Sequence, residues 1–552
     1  MKKVAKNIFS LLTHPEKRWF LWITASDIFI NILDIIFLGA LIVFINDYTR
    51  QPYSSVHPGV IGRLAANHFY PAVIAFFFCF SLKNLIGFFV IKKQNHFVYQ
   101  VALRMSASSL SDYLSSDYSN YAHTDSSVHI RKISQQPIQF GQYVLLNFQQ
   151  IISQSVLIII TIVVILVFNA KLFLLLTFVI IPPVALTAVL MKKKLQALRQ
   201  HAKINGEKTI QYLYEALNGY VESNIYDKRI FFSGRFELFQ KKLNNLLADQ
   251  QAIQGFPSRL IEIFAIFGLC ILIIISRQFG NAQIPVLLIG AFLGAAYKII
   301  PGIVKILNSA GQMKAYHFTV TDLIENNYIP LDIDPHNPEK ISSIAFENIY
   351  FSHDKKNVLN DINFTIGQGD FIGICGVSGK GKTTIINLLL GFLQPREGVI
   401  KINNRVTEKK TRLSFIKNIS YAKQQPFFIH DTLLKNILFD TGGDDPEKLN
   451  EIISITGIKK IMDDHKAGLE YIIEENGKNI SGGERQRIVF ARTLYKQAHC
   501  VILDEPFTEL DEASEMIMVS HLRHLAREGK MIILITHNKN SLVYCNKIIA
   551  LD

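Results

Sequence analysis

The run GVSGKGKTT, residues 376–384, is rich in glycine, ends in a lysine and two threonines, and follows the apolar stretch FIGIC. Gly376, Val377, Ser378, Gly379, Lys380, Gly381, Lys382 and Thr383 fit the pattern G-x-x-x-x-G-K-[ST], placed after a strand and at the opening of a helix. Glycines at this spacing permit a tight turn whose backbone N–H groups, together with the helix N-terminus, face phosphate oxygens. Lys382 then reaches the β- and γ-phosphates as a point charge, while the hydroxyl of Thr383, next to Thr384, ligates Mg²⁺. A second stretch, CVILDE at 500–505, reads as a buried strand ending in two carboxylates. Asp504 suits the Mg²⁺ shell, and Glu505 suits polarisation of an attacking water.

Those residues need a scaffold, and the surrounding pattern supplies one. From Ile341 onward strand-like runs alternate with helical ones: FIGIC then TTIINLLLGFL, CVILDE then SEMIMVSHLRHLA, MIILIT then NSLVYC. The order predicts a mainly parallel sheet between helices. Upstream, NNYIPLDIDPHNPEK breaks the helical pattern with three prolines and several acids and reads as a linker over 326–340. Before the linker the texture changes. Apolar stretches near the length needed to cross a bilayer, about 20 residues each, lie near 20–45, 70–91, 140–168, 171–190, 259–276 and 284–309. The expected fold is therefore an all-α six-helix transmembrane domain (1–325) followed by an α/β P-loop NTPase domain (341–552).

Basic flanks orient the spans. Lys17 and Arg18 precede the first, Lys92 and Lys93 follow the second, and Lys192, Lys193 and Lys194 follow the fourth. With both ends inside, the stretches 92–138 and 192–257 also lie inside. They keep a helical apolar period with few glycines or prolines, which predicts helices continuing past the membrane. The bulk composition agrees. The chain has 552 residues, 49% of them hydrophobic, and a mean hydropathy of +0.22, too apolar for an ordinary soluble protein. The net charge of +13 gathers beside apolar runs, which argues for membrane flanks and against nucleic acid as partner. The five cysteines are scattered with no CxxC pair, against a zinc site or disulfide framework and in keeping with a reducing compartment. The amino terminus has basic residues but no cleavage pattern, and reads as a retained cytoplasmic lead-in.

Between the two nucleotide motifs lies NISGGERQRIVFAR, and CVILDE is followed by FTELD and ITH. With these in place the chain resembles, over essentially its full length, an ATP-binding cassette (ABC) half-transporter of the exporter type. The resemblance implies ATP and Mg²⁺ as cofactors. It implies that Ser481, Gly482 and Gly483, with Glu484 where glutamine is commoner, grip the ATP held by an opposite subunit. Gln424 matches a loop glutamine that senses Mg²⁺ and the attacking water, with Gln425 the less favoured of the pair. His537 matches a switch histidine on the γ-phosphate, and Asp511 an aspartate coupling the two sites. His353 falls where an aromatic residue, usually tyrosine, stacks on adenine, and Lys380 stands where a small residue is usual. The chain closes at KIIALD, where members of the family continue through a further strand and helix. Bends near 117–125 and 218–229 are expected to dock on nucleotide domains.

One phosphate loop and one signature per chain imply a second chain; a homodimer is the simplest reading, with a heterodimer as the alternative. The implied setting is a multi-pass protein of the cytoplasmic (inner) membrane with its nucleotide-binding domain in the cytoplasm. The expected substrate is a lipid or lipid-linked glycan, with a peptide or small amphipathic compound as alternative. No peptidase domain precedes the first span, which disfavours a leader-cleaving exporter. An importer subunit or a soluble DNA-acting ATPase fits less well, because the membrane and ATPase parts are fused, membrane part first. In the first span Asp27, Asn31 and Asp34 share one helical face. Acids in a membrane face a cavity or a partner, so this face either contacts substrate or pairs with Lys83, Lys298 or Arg259. Pro301 and Gly302 are expected to kink the sixth span. On a cysteine-free background, an impermeant thiol reagent added outside should label a cysteine at Ser55 and spare one at Ser127; the reverse pattern inverts the topology.

Overall fold

In the computed structural model the described residues are 2–49, 69–168, 170–279, 286–324, 340–353, 356–377, 379–439 and 445–551. The linker read at 326–340 lies almost wholly outside them. The chain divides into two units, 1–116 with 120–329, and 117–119 with 330–552.

The first unit is helical. After a short amphipathic helix α1 (Lys2–Leu11) come α2 (His14–Thr49) and α3 (Phe69–Leu114). A helical run from Ser126 then passes through two π-helical turns, Arg131–Gln135 and Phe140–Leu145, into α4 (Leu146–Phe168). Next are α5 (Ala170–Asn218), α6 (Arg229–Phe279) and α7 (Val286–Ala315), and a short α8 (His317–Ile324) closes the unit. The six apolar stretches fall on these helical runs, the third beginning in the π-helical turn before α4 and the sixth with residues 284–285 outside the described residues. Among the described residues three of these runs, His14–Leu41, Pro71–Leu114 and Ser126–Val167, are long and apolar enough to cross a membrane, by length and composition. The expected continuation of helix beyond the apolar stretches is present: α5 and α6 run 49 and 51 residues. Short helices Tyr118–His123 and Tyr220–Ile225 occupy the two expected bends. At the basic end, Ile8 and Leu12 pack with Phe20, Phe97, Phe140 and Val320 in one apolar cluster, so α1 is folded onto the bundle.

Two polar features of the apolar helices are resolved. Asp34 forms ion pairs with both Lys83 of α3 and, at 3.0 Å, Lys298 of α7, and the Asn31 amide donates to Ser153 Oγ of α4 at 2.7 Å. Lys83 is almost fully buried. Helix pairing therefore accounts for Asp34 and Asn31. Arg259 takes no part in it; it stands 3.7 Å from Glu262 on its own helix, largely exposed. The Pro301–Gly302 pair does not end α7, which runs through it as one helix. Gly302 is instead a contact point, where a Cβ would meet Ile158 of α4 at 3.2 Å.

The second unit holds two sheets. The expected parallel sheet has five strands in the order β11-β3-β10-β9-β6, formed by β3 (Phe371–Gly376), β6 (Ile419–Ala422), β9 (Cys500–Asp504), β10 (Met531–Ile535) and β11 (Lys547–Leu551). An antiparallel sheet accompanies it, in the order β2-β1-β4-β5, from β1 (Ser343–His353), β2 (Lys356–Gly367), β4 (Glu397–Ile402) and β5 (Arg405–Val406). The sequence reading did not separate it from the parallel one. A two-residue pair, β7 (Asp431–Thr432) with β8 (Ile472–Ile473), completes the strands.

The parallel strands are buried on both faces, which is why they read as unbroken apolar runs. Alternate residues feed different cores. Val501, Leu503, Ile532 and Leu534 pack with helices α10 (Gly482–Tyr495) and α11 (Glu512–Arg527). Cys500, Ile502, Ile533 and Ile535 pack with α9 (Lys382–Leu389) and the antiparallel sheet. Strands β9 and β10 end level, Ile535 pairing with Asp504, while β3 runs two residues past its Ile374–Ile535 pair. Their carboxyl edge is where a parallel sheet presents its site.

For the membrane unit, Asp34→Asn leaves the buried Lys83 without its counter-charge, and breaking a buried pair this way costs about 3–5 kcal/mol. Thermal unfolding in detergent should show a markedly lower Tm, recovered in part by adding Lys83→Met. An unchanged Tm would mean the pair is solvated.

Candidate functional site

The phosphate loop joins β3 to α9. Gly381 caps α9 in the left-handed region (φ 95°), and a Cβ there would press on Leu359; both constraints call for glycine. Lys382, the first residue of the helix, is 9% exposed. Its ammonium donates to the carbonyl of Gly376 at 2.9 Å, lies 2.5 Å from His537 Nε2 and 3.8 Å from Glu505 Oε1. Val377 and Lys380 are exposed at the loop's tip, Thr383 is exposed, and Thr384 is buried behind it. Gly379 has φ 85°. Ser378 lies outside the described residues, as does the side chain of His353, whose backbone ends β1.

The acidic pair closes the other side. Asp504 is 5% exposed and accepts a 3.3 Å hydrogen bond from the Tyr421 hydroxyl. Burial raises its pKa above the ordinary aspartate range, and the neighbouring Glu505 charge adds to this, against the lowering effects of Tyr421 and Lys382. Burial and the same Asp504 push the Tyr421 phenol up, so it remains a neutral donor. Glu505 follows the strand with φ 49°, an unfavourable conformation for a residue with a Cβ, costing about 1–3 kcal/mol. Its own N–H donates to Ile535 O at 2.9 Å, fixing the turn. Gln424 Nε2 donates to Glu505 Oε2 at 2.8 Å, and His537 Nε2 stands 3.2 Å from Oε1. Lys382, Glu505, Gln424 and His537 thus converge, with Asp504 beside them.

Thr383 hydroxyl, Asp504 carboxylate and the Gln424 carbonyl oxygen are hard donors of the kind Mg²⁺ takes. A buried carboxylate with raised proton affinity has most to gain from a cation. The donor set therefore fits the metal.

Ser481 caps α10 in a reciprocal box: Glu484 N donates to Ser481 Oγ at 3.3 Å, and Ser481 N donates to Glu484 Oε2 at 2.7 Å. Glu484 thus holds the helix end, which explains an acid there. A Cβ on Gly482 would overlap the Glu509 carboxylate, so glycine lets that acid close over the helix N-terminus. Gln486 Nε2 donates to Thr508 Oγ1 at 2.7 Å, and its Oε1 accepts from Glu509 N at 2.9 Å, tying the two segments. Asp511 caps α11, accepting from Ser514 N at 2.9 Å, and stands 3.4 Å from Arg487 Nη2 of α10. Hydrogen bonds from Ser514 hold its pKa low.

Sequence reasoning missed three participants. Tyr421, three residues before Gln424, is marked only by lying on a short strand. Glu509 sits inside FTELD, where Asp511 drew the attention. Glu515 is buried in α11, accepting from Asn538 Nδ2 at 2.9 and 3.0 Å and from Ser541 Oγ; it anchors the segment carrying His537.

A P-loop domain with a second, glycine-led helix N-terminus, in one chain with long apolar helices, points to a membrane-associated nucleotide-binding protein. The comparisons sharpen this. The ABC transporter family pattern matches 359–508, and the ABC transporter transmembrane region matches 20–275. The chain belongs to the ABC transporters, with membrane region and ATPase domain in one polypeptide. It is 33% identical over 233 residues to a putative export ATP-binding/permease protein of Rickettsia typhi, covering 42% of this chain and 39% of that one. It is 26% identical over 370 residues to an ATP-dependent lipid A-core flippase of Burkholderia thailandensis, covering 64% and 60%. The matches thus span about two fifths to three fifths of these relatives' length. The fold is that of a bacterial Atm1-family ABC exporter solved with ATP bound (TM-score 0.81, 17% identity, 98% of this chain and 94% of that one).

The raised pKa of Asp504 has a pH signature. A carboxyl whose folded pKa is raised favours the fold only while protonated: its contribution is full below the ordinary value of about 3.9 and is lost as pH rises through the raised value. Asp504→Asn keeps an acceptor for Tyr421 but has no charge to bury. The Tm of nucleotide-free Asp504→Asn protein minus that of the parent should therefore grow across this window and stay positive at neutral pH. A difference independent of pH would mean Asp504 is not raised.

Proposed function

We propose that the protein hydrolyses ATP to drive export, or flipping between leaflets, of a lipid or lipid-linked glycan across the cytoplasmic membrane. The convergence of Lys382, Glu505, Gln424 and His537 at the carboxyl edge of the parallel sheet carries the first part of the reading. A single buried ammonium is there held by a carbonyl, an imidazole and a carboxylate, all groups that a γ-phosphate would replace as its partner. Lys382 then turns from Gly376 O and His537 to the phosphate oxygens. Released, His537 Nε2 faces the same phosphate, while Glu505, oriented by the Gln424 amide, accepts a proton from the water attacking phosphorus as the β–γ bridge bond breaks. Thr383, Gln424 and Asp504 would hold Mg²⁺, which would supply positive charge against the phosphate oxygens.

The helix end at Ser481–Gly483 faces Glu509 of its own chain and would serve ATP on a second chain, giving two composite sites in a homodimer. Both termini and the nucleotide-binding domain would be cytoplasmic, with residues 1–325 as the six-span membrane domain and 341–552 as the ATPase. The lipid reading is supported by the likeness to a lipid A-core flippase over 64% of the chain.

Glu505→Gln should bind ATP and hydrolyse it at least tens of times more slowly, since one general base contributes about 10²–10⁴-fold; Lys382→Ala should weaken binding itself. Normal turnover in Glu505→Gln protein would remove Glu505 from the chemistry. In reconstituted vesicles, lipid extracts should stimulate ATPase activity and peptide fractions should not. Stimulation by peptides alone would move the substrate to that class.

A further inference from the structure

At the basic end of the first two long helices, a cavity of about 580 Å³ lies between the start of α2 and the middle of α3. On α3 its wall is one helical face, Phe89, Lys92, Lys93, His96 and Gln100, spaced three and four residues apart. On α2 it is lined by Trp19 and Glu16. The wall is graded along its length. Toward the apolar stretch it opens through Phe89, 58% exposed, onto Leu82, Leu85 and Ile86, all outward-facing. In the middle Trp19 meets Trp22 edge-on, ring centroids 5.6 Å apart, and Lys93 lies over the Trp22 ring at 5.5 Å. At the far end stand Lys92, His96 and Gln100.

Charge decides what would fill it. Glu16 already has its counter-ion: Arg104 donates through Nε at 2.7 Å and through Nη2 at 3.0 Å, and Thr13 N donates at 2.8 Å. Among the described residues neither Lys92 nor Lys93 has an ion pair, so the cavity carries net positive charge. Tryptophans with lysines just beyond an apolar stretch mark the headgroup level of a bilayer.

We infer that this cavity is a binding site for an anionic phospholipid, its phosphate between Lys92, Lys93 and His96, its glycerol level against Trp19, and its acyl chains along Phe89 and Leu82–Ile86. A soluble anion would use only the basic end and leave the apolar end open to water. A zwitterionic lipid would bring its own cation against the lysines. The site is separate from the nucleotide groups and from the Asp34 pair. The inference rests on α2 and α3 lying in the membrane.

The chain has two tryptophans, and both are here, so intrinsic fluorescence reports on this place alone. The full-length protein is reconstituted in phosphatidylcholine vesicles containing a minor fraction of lipid brominated on its acyl chains, either phosphatidylglycerol or phosphatidylcholine. The brominated phosphatidylglycerol should quench as if enriched about fivefold or more near the tryptophans, the scale of one lysine's attraction for an anionic lipid. Lys92→Gln with Lys93→Gln should bring the two lipids to parity, whereas Lys241→Gln with Lys242→Gln, far along α6, should not. Equal quenching by both lipids in the parent protein, a preference untouched by Lys92→Gln/Lys93→Gln, or one abolished equally by the α6 pair would overturn the site. Loss of the preference on adding inorganic phosphate at constant ionic strength would assign the cavity to a soluble anion. Quenching by neither lipid would overturn the membrane placement together with the site.

Discussion

The second unit is organised around charge that the fold buries without fully neutralising. At the carboxyl edge of the parallel sheet, Asp504 and Glu505 are consecutive acids, one nearly sealed from water, and the Lys382 ammonium beside them is shared with a carbonyl and an imidazole. The proton affinity of Asp504 rises because burial and the adjacent carboxylate outweigh the Tyr421 hydroxyl and Lys382. Such an edge is short of both a cation for its acids and an anion for its lysine. A magnesium–polyphosphate pair would supply both, which is why the same groups that strain this edge would suit such an occupant. The left-handed backbone of Glu505 belongs to this strain. It is held by its N–H bond to Ile535 and by the packed strands beneath.

Charge in the membrane unit follows the opposite rule. Where Asp34 enters an apolar helix, two lysines from separate helices meet it, and Asn31 finds Ser153 one turn away. Polar groups in such surroundings must be satisfied by partners, since water is absent. These contacts link α2 to α3, α4 and α7, so they specify helix neighbours as well as offset charge. The lysines beyond the apolar stretch sit beside aromatic rings and can face headgroups, and there positive charge without an ion pair is tolerated.

The helix ends of the nucleotide-binding unit are closed by their own side chains. Ser481 and Glu484 satisfy donors at one end of α10, and Asp511 does the same for α11. Arg487 joins the two, donating to Ser514 Oγ at 2.6 Å and to Thr456 O at 3.0 Å. Glu509 stands over Gly482 where a phosphate would be drawn by the same helix dipole. The helix N-terminus is thus already paired with a negative group in the single chain.

Local chemistry was legible in the sequence because it depends on neighbours along the chain. The phosphate loop, the buried strand ending in Asp504 and Glu505, the capped helix at Ser481 and the long apolar helices are all set by spacing, glycine and hydrophobic period. What spacing along the chain does not contain is adjacency between strands. Gln424, Glu505 and His537 are brought together because β6, β9 and β10 lie side by side in the parallel sheet, in an order different from their order in sequence. The same limit hid Tyr421, which matters only because β6 pairs with β9, and Glu515, whose partners lie beyond β10. It left the antiparallel sheet unseparated, since a strand's own residues do not say which edge it joins. In the membrane unit the sequence placed Asp34 on a helix face but left its partner open among three cations. Packing selected Lys83 and Lys298 and left Arg259 on the surface, because a buried charge is satisfied by whichever neighbour the helix contacts bring within reach.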